Sequence, residues 1–165
     1  MSYGAGYFFC PPERQIKALC RLHGKTVALA ESCTGGYISH RLTNVSGSSG
    51  YFLGGVVVYS NEAKHRLLGV PEQSIAEHGA VSPVVARFMA EGVRRVFECS
   101  IGLSVTGIAG PGGGSKKKPV GLVFIGISGR NTSRVYSFRI KGSRNSIKKK
   151  TAHKALTLLT KALLH

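Results

Sequence analysis

Apolar positions along this chain follow two rhythms, short unbroken runs and stripes at helical spacing, and their succession lays out the elements. In residues 13–22 the apolar Ile16, Leu19 and Leu22 recur three apart, and Gly24 supplies a stop, so the pattern predicts a first helix. An apolar, β-compatible run at 26–30 predicts a strand, 37–42 a short helix and 44–50 (NVSGSSG) a loop. The Val-rich run at 51–59 reads as a strand buried on both faces. Ser60 is the expected N-cap of the next helix, with Ala63 and Lys64 in its first turn, and 71–75 reads as a short helical turn. Ser82 and Pro83 fit the cap and first position of a longer helix to residue 97. A third strand at 101–106 runs into a glycine-rich loop, Gly107 to Gly114. Strands at 120–128 and 134–140 flank a hairpin connection at 129–132. Ser143 then caps a terminal helix to residue 164, whose Ala152, Ala155, Leu156, Leu159 and Leu163 share one face.

The order α-β-α-β-α-α-β-β-β-α predicts a single three-layer α/β/α domain, with helices on both faces of a mixed, mainly parallel sheet of about five strands. A length of 165 residues suits one domain. Residues 13–165 are assigned to it, and the glycine- and aromatic-rich residues 1–12, ending in Cys10-Pro11-Pro12, are expected to form a flexible arm.

Composition removes several classes of function. The longest apolar runs, 54–58 and 121–127, are far shorter than the ~20 residues of a membrane span. The amino terminus lacks the basic flank and long apolar stretch of a secretory signal, so a cytoplasmic location away from the membrane is expected. Cysteines stand at 10, 20, 33 and 99 without a C-x-x-C pair, and the six histidines form no H-E-x-x-H pattern. Reduced thiols, no metal and no cofactor are the expectation.

Charge is distributed unevenly. Residues 1–98 carry a net +3 and include all seven acids, whereas residues 99–165 carry +13 with no acid. Asp is absent throughout, which excludes a Ser-His-Asp triad. The basic carboxy-terminal part, with Lys116-Lys117-Lys118 and Lys148-Lys149-Lys150, should attract phosphate-bearing partners and allow non-specific, salt-sensitive nucleic-acid binding. The alternative is a solvated face around a phosphate site, and no recognised nucleic-acid module accompanies the charge.

Three predicted strand ends carry the unusual residues: Ser32 to Gly36, Tyr59 to Lys64, and Thr106 to Gly114. Were the three strands parallel, these turns would share the sheet edge at which open α/β folds bind ligands. Ser32 and Lys64 then form a nucleophile and base that need no acid, since a partly buried lysine can lose its proton near neutral pH. Amides following Ser32, at a helix start, are candidates for an oxyanion hole, and Gly35-Gly36 permits close approach to the backbone. Against this, on residue type alone the usual role of Ser32 is a helix cap, that of Lys64 a solvated helix lysine, and that of Cys33, the rival nucleophile, a packed thiol. The glycine-rich loop fits a phosphate cradle or merely a tight turn, and lacks both the Walker lysine and the G-x-G-x-x-G spacing.

Taken together, AESCTGG (30–36), YSNEAK (59–64), LGV (68–70), HGAVS (78–82), TGIAGPGGG (106–114) and KPVG (118–121) resemble the CinA carboxy-terminal domain family, the nicotinamide-nucleotide amidases. The resemblance covers about residues 13–164 in order. It implies hydrolysis of nicotinamide mononucleotide, or a related phosphate-bearing amide, to nicotinic acid mononucleotide and ammonia, without metal or cofactor. It further implies Ser32 as nucleophile and Lys64 as base. Cys33, Thr34, Gly35, Tyr59, Asn61, Thr106 and Gly107 would line the substrate site, with Arg144 on the phosphate. A homo-oligomer is also implied. Two departures stand out: Lys116 and Lys117 replace usual acids after the glycine-rich loop, and Gly142-Ser143-Arg144 stands for a usual Gly-Asp-Arg. Both losses remove negative charge near the expected phosphate end, which tightens anion binding or marks a divergent member. The alternative function is a non-catalytic, basic nucleotide- or nucleic-acid-binding protein.

Overall fold

A computed structural model describes residues 10–164 of the chain. The arm expected at 1–12 lies outside the described residues for 1–9, and its last residue, Pro12, opens the first helix. The elements in order are α1 (Pro12–His23), β1 (Val27–Glu31), α2 (Tyr37–Thr43), β2 (Phe52–Val57), α3 (Asn61–Leu68), α4 (Glu72–His78), α5 (Pro83–Val96), β3 (Ile101–Gly107), β4 (Leu122–Ser128), β5 (Ser133–Arg139) and α6 (Arg144–Leu163). A 3₁₀ turn, Ser48–Gly50, interrupts the expected loop before β2. Among these, no helix is long and apolar enough to cross a membrane.

The strands form one sheet in the order β2-β1-β3-β4-β5. β1 pairs in parallel with both β2 and β3, whereas β4 runs antiparallel to β3 and to β5. The carboxyl ends of β1, β2 and β3 therefore meet on one edge, as the expected crossovers require.

Alternation along β1 divides the core. Val27 and Leu29 face a layer built from α1, α2 and α6, while Ala28 and Ala30 face α3, α4 and α5. Side chains on the second face are small because α5 lies close against the strands. A Cβ on Gly102 would stand 2.2 Å from the Ala90 carbonyl, and one on Gly126 2.5 Å from that of Ala86. The Ser104 hydroxyl fills the remaining gap by donating to the Ala86 carbonyl at 2.5 Å.

Caps fall where the sequence placed them. Ser60, Ser82 and Ser143 accept from the amides of Ala63, Val85 and Ser146, and Gly24 ends α1 in the left-handed conformation. The expectation for β2 is corrected. It is an edge strand whose residues alternate between half-buried and exposed, not a strand covered on both faces. Its apolar run describes one good face and a tolerated one, with Leu53 and Val57 on the open side.

Candidate active site

The turn after β1 is built around a carboxylate. Glu31, the last residue of β1, is fully buried, and its carboxylate accepts from the amides of Ile38 and Ser39 at 3.1 and 2.7 Å and from the Ser39 hydroxyl at 2.7 Å. It thereby satisfies the first free amides of α2, whose own N-cap, Gly36, has no side chain to do so. Ser32 is thus not the cap of α2. It opens a tight turn, closed by the Gly35 amide donating to the Ser32 carbonyl at 3.1 Å. Helix α2 starts only at Tyr37, so the expected coincidence of the Ser32 amides with a helix start is also corrected.

Within that turn the Ser32 amide donates to Val105, and the Gly35 amide to Ser32, but among the described residues the amides of Cys33 and Thr34 have no backbone acceptor. Among the described residues the Ser32 hydroxyl likewise makes no hydrogen bond, and it borders a cavity of about 260 Å³. Cys33 borders the same cavity, but burial pushes its thiol up to about 12, so the sulfur is protonated at neutral pH. Both candidate nucleophiles in the turn, the Ser32 hydroxyl and the Cys33 thiol, border the cavity and need a base to take their proton.

Lys64 reaches the cavity from the first turn of α3. Its side chain is 1% exposed, so it is no solvated helix lysine. Nζ donates to the carbonyls of Val58, Tyr59 and Ser60 at 3.0, 3.4 and 3.3 Å, the segment that leads out of β2. Desolvation lowers its pKa below the ordinary lysine value, with the neighbouring Cys33 acting in the opposite direction. Ser32 and Lys64 share the cavity, but no hydrogen bond joins them in this structure.

Tyr59, Asn61, Thr106, Gly107 and Arg144 line the same cavity. The Thr106 hydroxyl donates to the Ala80 carbonyl at 2.8 Å, fixing the segment between α4 and α5 as one wall. Arg144, the first residue of α6, donates through Nη1 to the Gly110 carbonyl at 2.7 Å and through Nη2 to the Tyr59 hydroxyl at 3.0 Å. It joins the end of β2 to the glycine-rich loop. Two expected residues fall outside the lining: Thr34 is buried with an unpartnered hydroxyl, and Gly35 is on the outer surface. Reasoning from sequence missed Glu31 and the Ala80-Val81 wall. The one available signal was that Glu31 is the only acid between Glu13 and Glu62, placed at the end of an otherwise apolar run.

The model of the CinA C-terminal domain matches residues 11–163. The chain belongs to the CinA C-terminal domain family. It is 56% identical over 138 residues to a putative competence-damage inducible protein of Caldicellulosiruptor bescii, covering 84% of this chain and 34% of that protein. Identity to a CinA-like protein of Geobacter sulfurreducens is 53% over 149 residues, 90% of this chain and 36% of the other. The chain thus spans about a third of the length of these relatives. Among solved structures, the competence/damage inducible protein CihA of Agrobacterium tumefaciens superposes with a TM-score of 0.89 at 40% identity over the whole of both chains. A CinA superfamily protein of Klebsiella pneumoniae superposes with a TM-score of 0.90 at 27% identity, over 93% of this chain and 96% of that one. CinA membership accounts for the three-layer fold and for the blocks that surround the cavity.

Proposed function

We propose that this CinA domain is an amidohydrolase that converts nicotinamide mononucleotide to nicotinic acid mononucleotide and ammonia through a Ser32-Lys64 acyl-enzyme. The observation that carries this reading is one cavity, at the carboxyl ends of three parallel strands, bordered by a free serine hydroxyl and a buried lysine of lowered pKa. An ammonium has three N–H bonds, which match the three carbonyls around Nζ. The neutral amine has two and a lone pair, so deprotonation frees one direction for the Ser32 proton.

In the first half-reaction Lys64 takes that proton as Ser32 Oγ bonds to the carboxamide carbon. The free amides of Cys33 and Thr34 are the donors for the resulting oxyanion. Lys64 returns the proton to the leaving nitrogen, the C–N bond breaks, and ammonia departs. Water then attacks the ester, giving its proton to Lys64, and the carboxylate product leaves as Ser32 is reprotonated. Arg144 keeps N–H donors beyond the two it spends on Gly110 and Tyr59, and these hold the substrate phosphate.

Ammonia release from nicotinamide mononucleotide by wild type, Ser32→Ala and Lys64→Ala tests the proposal. Each variant should lose at least ~10²- to 10⁴-fold in turnover, the usual size of an acid-base contribution. Failure of folded wild type to release ammonia, or wild-type turnover by either variant, would overturn it.

A further inference from the structure

At the opposite edge of the sheet lies a second and larger cleft, of about 970 Å³, formed where β1 and β3 begin and β4 ends. We propose that this cleft binds the phosphate chain of a nucleoside di- or triphosphate, independently of the amidase site.

Its charge is the first reason. Lys25, Arg94, Arg130, Arg134 and Lys161 line it, with His23, against a single carboxylate, Glu98. Three of these bases have an ordinary explanation: His23, Arg94 and Lys161 stand in the last turns of α1, α5 and α6, where they offset the partial negative charge of a helix end. Lys25, Arg130 and Arg134 do not, because they come from the connection into β1, the β4-β5 turn and β5.

The second reason is the lack of partners. Elsewhere some bases donate to an identified acceptor, as Lys17, Arg41, Arg95, Lys118 and Lys150 do, while others, such as Arg14, Arg21, Arg139 and Lys149, have none among the described residues, so it is the gathering of unpaired bases in one cleft that counts. Among the described residues, no side chain of the five lysines and arginines in the cleft makes an ion pair or hydrogen bond. Among the described residues Arg94 Nε is buried without any acceptor, so its guanidinium is not neutralised from within the fold.

Ligand class follows from shape. Cations arriving from several elements converge on one concavity, which suits charges close together on a short chain more than a strand running across a surface. Ile101, Ile127 and Tyr136 supply an apolar wall for a base beside the phosphates.

Calorimetric titration near physiological salt, with ATP, GTP, AMP, inorganic tripolyphosphate and a single-stranded oligonucleotide as probes, tests this. ATP or GTP should bind saturably, more tightly than AMP, and more tightly than tripolyphosphate by the contribution of the base. Arg130→Glu with Arg134→Glu should weaken ATP by about tenfold or more. Charge reversal of Lys116 and Lys117, on the loop at the other edge, should leave it within about twofold, as should Arg144→Ala or saturating nicotinamide mononucleotide. The proposal is overturned by absence of saturable ATP binding, by equal losses from the two charge reversals, by competition with nicotinamide mononucleotide, or by an oligonucleotide that outcompetes ATP for the wild-type cleft.

Discussion

At the residue scale, Lys64 is the group whose state should govern both activity and stability. Burial lowers its pKa in the folded chain, so the folded state releases a proton that the unfolded chain would hold. Stability from this group is therefore lost as pH falls through its folded pKa, and is recovered fully only above the ordinary lysine value. Replacement by methionine keeps much of the stem and removes the titration. Thermal unfolding across the alkaline range should show stability rising with pH less steeply in Lys64→Met than in wild type, and parallel curves would contradict the assignment. In kinetics the same group should set the acid limb of kcat/KM, with activity rising as the amine becomes neutral. Cys33 makes the opposite prediction. With its thiol held protonated, Cys33→Ala should keep turnover within about tenfold of wild type, whereas a loss as deep as that of Ser32→Ala would make the sulfur the nucleophile. Ser32 and Lys64 were legible in the sequence because each follows a strand; the buried state of Lys64 was not, because the same residue type at a helix start is usually solvated.

At the element scale, the turn that presents Ser32 depends on how α2 is fastened to β1. Glu31 spends its carboxylate on two amides and a hydroxyl of α2, so it is a positioning residue for the Ser32 turn. Glu31→Gln retains the shape but exchanges one acceptor oxygen for a donor that faces N–H groups. A loss of roughly 1–3 kcal/mol in unfolding free energy is expected, the size of a hydrogen bond to a charged group. Turnover should fall through kcat more than KM, because Arg144, the proposed phosphate contact, is left in place. Unchanged stability would remove Glu31 from this role. The elements themselves were legible: caps at Ser60, Ser82 and Ser143, the glycine stop at Gly24 and the hairpin at 129–132 all lie in local signals. The edge position of β2 was not, since strand order is fixed by which helices cover which face, and an apolar run such as FLGGVV is compatible with either place.

At the scale of the whole molecule, the fold divides a charge that the sequence gathers into one segment. Residues 99–165 carry all of their +13 without an acid, yet the topology sends Lys116 to Lys118 to the loop beyond β3 and Arg130 and Arg134 to the other edge of the sheet. A basic half in sequence is thus two basic ends in space. At the first of these ends, α6 returns the carboxy-terminal segment to the cavity and places Arg144 between Tyr59 and Gly110, three parts of the chain that are far apart in sequence. On the proposed reaction, this convergence would separate recognition of the phosphate from the chemistry at the amide. Arg144→Lys keeps the charge but loses the planar fork, so KM for nicotinamide mononucleotide should rise about 10- to 100-fold, as expected for the loss of charge-assisted hydrogen bonds. kcat should change much less, and nicotinamide riboside, which has no phosphate, should be turned over equally by wild type and variant. Steady-state kinetics on the two substrates read both quantities. A rise in KM of the same size for the riboside would place Arg144 in the architecture of the cavity instead of on the phosphate.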